Sequence, residues 1–206
     1  MPGPGMLTLM VLPAVIGLVI VARPNIATSL TSLRGKWLIV LAAALQFTQY
    51  EGWWPQSIPE ANQHRLSAVL VLAIAMTFCW LNRSLSSRRA GMWALPLIVL
   101  GTASNSIPIA VLGAMPYSLS GARAAGYSSA ELATDAPGYV RLDDVSHLWI
   151  PLADLIPIPV LMKVLSIGDL LLFTGLALLI VACYRSETPT SADTDALNDR
   201  SVQSSA

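Results

Sequence analysis

The chain reads as an all-α integral membrane protein of five transmembrane helices, with a structured external segment between the fourth and fifth. Three observations predict this. Of 206 residues, 12 are basic and 12 acidic, only 12% charged, while 54% are hydrophobic and the mean hydropathy is +0.62, too few polar groups to cover a water-soluble globule. Five apolar stretches have the 17 to 25 residues needed to cross ~30 Å of hydrocarbon. Only two charged residues, Glu51 and Asp169, fall inside any of them. A formal net charge of zero gives no electrostatic footprint for nucleic acid. Two cysteines exclude a disulfide scaffold.

The first span, 6–22, follows a start without a positive region and has no small-x-small cleavage site before Arg23, so it reads as a retained helix rather than a signal peptide. The others are 37–54, 66–82, 92–112 and 167–184. Lys and Arg gather in the first connection (Arg23, Arg34, Lys36) and the third (Arg83, Arg88, Arg89), while the second holds only Arg65. The positive-inside rule then puts the N-terminus outside and the C-terminus in the cytoplasm of a plasma membrane. Trp37, Trp80 and Trp93 fall at cytoplasmic span ends and Trp53 and Trp54 at an external one, as an aromatic belt requires. Cys79 and Cys183 lie near cytoplasmic helix ends, on the reducing side, and read as small buried hydrophobes. The external segment is 113–166, and the polar, Ser- and Asp-rich tail 186–206 reads as disordered.

Chemistry would have to come from the few polar residues at the external end, because no nucleotide loop, zinc motif or nucleophile elbow occurs. Ser166 and Asp169, in Ser166-Ile167-Gly168-Asp169, have capping-box spacing at the start of the last helix. The same stretch is a degenerate version of the Gly-x-Gly-Asp of intramembrane aspartyl proteases, whose chemistry needs a second carboxylate, and Asp154 is the one nearby. From Leu142 to Ile150 apolar residues recur at helical spacing, with Asp143, Asp144 and His147 opposite, predicting a short interfacial helix ended by Pro151. Asp143 and His147, four apart, read as a surface pair rather than a metal site. His64 reads as solvated. In the fourth span Asn105 lies among Thr102, Ser104 and Ser106 ahead of Pro108, which predicts a kinked, packed helix or a broken helix lining a pocket. Gln46 and Gln49 add polarity in the second span.

Asn105 in the fourth span, the exit Gly113-Ala114-Met115-Pro116, the run His147 to Pro159 with Asp154 and its prolines, and Ser166 to Asp169 followed by Gly175 occur in an order that resembles an uncharacterised family of small bacterial multi-pass membrane proteins. That family is known only as a domain of unknown function, and it tends to carry Asn-Gly where this chain has Val111-Leu112. The resemblance spans about 6–184 and implies a bacterial plasma-membrane protein without an assigned reaction. The expected polar cluster is Asn105, His147, Asp154, Ser166 and Asp169, structural or ligand-binding, with no catalytic residue, metal or cofactor. Its expected partners are the lipid bilayer and a second copy or another membrane-complex subunit. A small oligomeric transporter or channel is the alternative reading, and an intramembrane hydrolase using Asp154 and Asp169 is the next.

Overall fold

A computed structural model describes residues 33–50, 55, 57–87, 89–133 and 138–184. Helix α1 covers Trp37–Tyr50, α2 Glu60–Leu81 and α3 Arg89–Leu112; a 3₁₀ turn, Arg83–Ser87, joins the last two. The segment that follows holds strand β1 (Met115–Tyr117), the short helices α4 (Leu119–Ala124) and α5 (Ser129–Ala133), and β2 (Tyr139–Arg141). Two 3₁₀ turns, Leu142–Asp144 and His147–Leu152, lead to β3 (Ile156–Ile158), β4 (Lys163–Leu165) and helix α6 (Ile167–Tyr184). The expected span 6–22 and the tail 186–206 lie outside the described residues, as do Glu51, Trp53, Trp54 and the side chains of Gln46 and Gln49.

Two helices, Glu60–Leu81 and Gly91–Leu112, are long and apolar enough to cross a membrane, each with mean hydropathy 1.7. Helix α2 starts six residues before the apolar run, because Pro59, with φ −54° and a non-helical ψ of 140°, precedes it and Gln63 Nε2 donates back to the Ile58 carbonyl at 2.7 Å. Its first turns therefore include Glu60, His64 and Arg65. His64 is not solvated: its ring lies under Gly138, where φ is +76° and a Cβ would stand 3.1 Å from the imidazole. Arg65 reaches the Val111 carbonyl at 3.3 Å, capping the end of α3 with a cation.

α1 packs on α2, α2 on α3, and α3 on α6. The α3–α6 seam is the closest. A Cβ on Gly101 would stand 2.5 Å from the Leu172 nitrogen, and one on Gly175 would stand 2.8 Å from the nitrogen of Ile98 and 3.0 Å from the Ala94 carbonyl. Small residues therefore let the two backbones approach closely. At one end of the seam Phe78, Cys79, Leu95, Ile98, Leu179 and Cys183 form an apolar core, and both cysteines are buried and not joined in a disulfide.

The all-α expectation needs correction in 113–166. β1 and β2 pair in parallel, Met115 with Tyr139 through Tyr117 with Arg141; β3 and β4 form an antiparallel hairpin, Ile156 with Leu165. The expected interfacial helix over 142–150 is instead two 3₁₀ turns, since Val145 is extended and Ser146 restarts the chain by accepting a hydrogen bond from Leu148 N. α3 stays helical through both Pro96 and Pro108.

Candidate functional site

The polar end of the α3–α6 seam is assembled around the start of α6. Ser166 Oγ accepts from Asp169 N at 3.0 Å, and Asp169 Oδ2 accepts from Ser166 N at 2.9 Å. This is the reciprocal capping box that the Ser166-x-x-Asp169 spacing predicts. The hydroxyl of Ser166 lies 3.1 Å from Asp169 Oδ2 and 2.7 Å from Asn105 Oδ1, and Asn105 Nδ2 donates to Asp169 Oδ1 at 2.7 Å. Both carboxylate oxygens of Asp169 are thus engaged by positioned donors. Gly168 has no space for a side chain because Asn105 Oδ1 occupies it, and its hypothetical Cβ would also stand 2.9 Å from the Gly101 carbonyl. One glycine lets the backbones approach and leaves the Asn105 amide its place.

Asp154 lies beside this network in the strap that crosses the segment. Its N–H donates to the Pro116 carbonyl and its carbonyl accepts from Ser118 N, both at 2.9 Å, while Leu155 N donates to Leu165 O at 3.1 Å. These bonds tie β1 to the β3–β4 hairpin and bury Asp154 to 7% exposure. Burial pushes the Asp154 carboxyl well above the usual carboxylate range, Asp169 pushes the same way, and Lys163 opposes both. Burial also lowers the Lys163 ammonium, and it raises the Tyr127 phenol, with Glu131 and Asp154 adding to that rise.

Of the five residues expected to cluster, Asn105, Ser166 and Asp169 are joined by hydrogen bonds and Asp154 is their electrostatic neighbour. His147 is not among them. It opens a 3₁₀ turn and is exposed. An open cleft of about 320 Å³ lined by Ser118, Ser120, Arg123 and Asp143 includes none of the five. No group of three or more His, Cys, Asp or Glu able to hold a metal occurs among the described residues.

Sequence reasoning missed Tyr127 and Lys163 around Asp154, and Asn82 at the opposite end of the bundle. Asn82 is 3% exposed and clamps the turn before α1: its Oδ1 accepts from Arg34 N at 2.9 Å and its Nδ2 donates to Arg34 O at 2.8 Å. The signal was present in an amide closing an apolar span beside Arg83. A second capping box, with Ser128 N donating to Glu131 Oε2 at 2.8 Å, was equally legible as Ser-x-x-Glu.

The model of a family of unknown function matches residues 30–181 of the chain, a shorter reach than the 6–184 of the resemblance. No curated protein and no solved structure matches it.

Proposed function

The chain belongs to DUF5317, a family of unknown function, and from that premise we propose that it is a non-enzymatic structural, accessory or ligand-binding component of a bacterial plasma membrane. In this reading it crosses the bilayer five times, with the N-terminus outside and the C-terminus in the cytoplasm, and 113–166 forms a polar cap on the outer face. One observation carries the architectural role. Asp169, in the first turn of α6, has both oxygens engaged by Asn105 and Ser166, in a seam where Gly101 and Gly168 leave no room for a Cβ. A general base needs a free oxygen facing a substrate, and a transport path needs water. A carboxylate with both oxygens held by donors in a close helix contact fits neither role.

The membrane reading draws further support from apolar side chains left open on the helices, such as Val69, Met76, Leu100, Ile107 and Val111, all more than 40% exposed. The orientation is supported by Asn82 bringing Arg34 and Arg83 to the same end of the bundle and by the positive-inside rule. Single cysteines introduced at Ser57, Ser87 and Ser128, with Cys79 and Cys183 replaced, test it with an impermeant reagent on intact cells. Positions 57 and 128 label and 87 does not; external labelling of 87 contradicts the topology. The accessory role is tested by purifying the full chain in mild detergent. It is expected to travel as a stoichiometric assembly with itself or with another membrane protein, and a strictly monomeric chain overturns that role.

A further inference from the structure

We infer that the corner built around Asn82 is a binding site for the phosphate headgroup of an anionic phospholipid in the cytoplasmic leaflet, an assignment that rests on the membrane reading above. The corner joins segments 48 residues apart. α2 ends at Leu81, and the buried Asn82 amide holds the preceding turn through both polar groups of Arg34 while it also donates to the Phe78 carbonyl at 2.9 Å. Gly35 lets that turn press close: its φ is +65°, and a Cβ there would stand 2.9 Å from Leu81 Cδ1. The consequence is that Arg34 and Lys36, from the chain before α1, share one corner with Arg83, the residue after Asn82.

All three cations are exposed, and among the described residues none forms an ion pair. No acidic residue occurs in the chain between Glu60 and Glu131, and none between Leu33 and Tyr50, so among the described residues no acid neighbours these cations in sequence. The Arg83 guanidinium is held 4.9 Å from the centroid of the Trp80 ring, a cation–π contact that limits where it points. Guanidinium forks match phosphate oxygens, and a lysine adds a point charge.

The ligand is a lipid rather than free phosphate because of what borders the cations. Trp37 is 74% exposed and Trp80 63%, while Ile39 and Val40, just along α1, are 44% and 56% exposed. Amphipathic rings beside an apolar helix face suit the level of the headgroups, with acyl chains against Ile39 and Val40. A soluble anion would leave that surface unused.

The test uses the full chain in detergent micelles supplied with equal amounts of phosphatidylglycerol and phosphatidylcholine, read by native mass spectrometry. The protein is expected to retain phosphatidylglycerol preferentially. Replacing Arg34, Lys36 and Arg83 together by Gln lowers that preference about tenfold or more, as the loss of three cations at an anionic surface requires. Asn82→Ala, which keeps every charge but frees the turn, lowers it partway. Equal retention of the two lipids by the wild type, or an unchanged preference in the triple variant, overturns the site. Displacement of the lipid by millimolar inorganic phosphate overturns the choice of lipid over free anion. The membrane reading is scored separately by carbonate extraction of the wild type: a chain released from membranes fails that reading, whereas one retained without lipid preference fails only this inference.

Discussion

Asp169 and Asp154 show how environment separates two identical side chains. Asp169 accepts from the Ser166 backbone N–H and the Asn105 amide, one on each oxygen, so its carboxylate is held by positioned donors. Asp154 has its backbone bonded on both sides, but its carboxyl is buried beside a like charge. Ser166→Ala removes a helix cap and is expected to cost about 1 kcal/mol. Asp169→Ala strands the Asn105 amide and the Ser166 N–H and is expected to cost about 2 to 3 kcal/mol. Thermal unfolding in detergent measures both. A carboxyl whose folded pKa is raised binds its proton more tightly when folded, so stability is greatest at low pH and declines as pH climbs from the ordinary carboxylate range through the raised value. Asp154→Asn is expected to flatten that decline, read as melting temperature against pH; an unchanged pH profile contradicts the assigned environment. At this scale the capping box was legible, because partners three residues apart are set by helix geometry alone. The bond from Asn105 to Asp169 spans 64 residues and depends on the register of two helices, which no local spacing encodes.

The register comes from small residues recurring every seven positions on facing helices: Ala94 and Gly101 on α3, Gly168, Gly175 and Ala182 on α6. Seven residues is nearly two turns, so each set forms one stripe. Gly101→Val is expected to cost about 1 to 3 kcal/mol or more by overpacking the seam, whereas Leu170→Ala, at a position 45% exposed on α6, is expected to change stability in detergent by less than about 0.5 kcal/mol. Equal losses would place the α3–α6 contact on another face. The helices themselves were legible from apolar length, to within a few residues at α3 and α6. Strands β1 to β4 were not, for each is three residues long, β1 and β3 have proline at the centre, and none shows an alternating pattern. They exist because backbone groups in a segment folded over the bundle must be paired somewhere, and Asp154 and Leu155 bridge the two pairs.

Across the whole molecule the charge pattern and the packing agree. Arg34 and Arg83 lie at the apolar end, joined through Asn82, while Asp154, Ser166 and Asp169 gather at the other, where the cap 113–166 closes over α3 and α6. The arrangement makes the polar network a lock between cap and bundle, with His147 left outside it. The sequence singled out Asn105, Asp154, Ser166 and Asp169, which the structure brings together at one end of the molecule. It could not show whether the oxygens of Asp169 are held by partners, because that is a property of distances. The lock is tested most directly by a double-mutant cycle on Asn105→Ala and Asp169→Ala, measured as unfolding free energy of the full chain in one detergent. The two substitutions are expected to be coupled by about 1 to 2 kcal/mol, the double variant losing less than the sum of the singles. Additive losses, or single variants as stable as the wild type, would contradict the account.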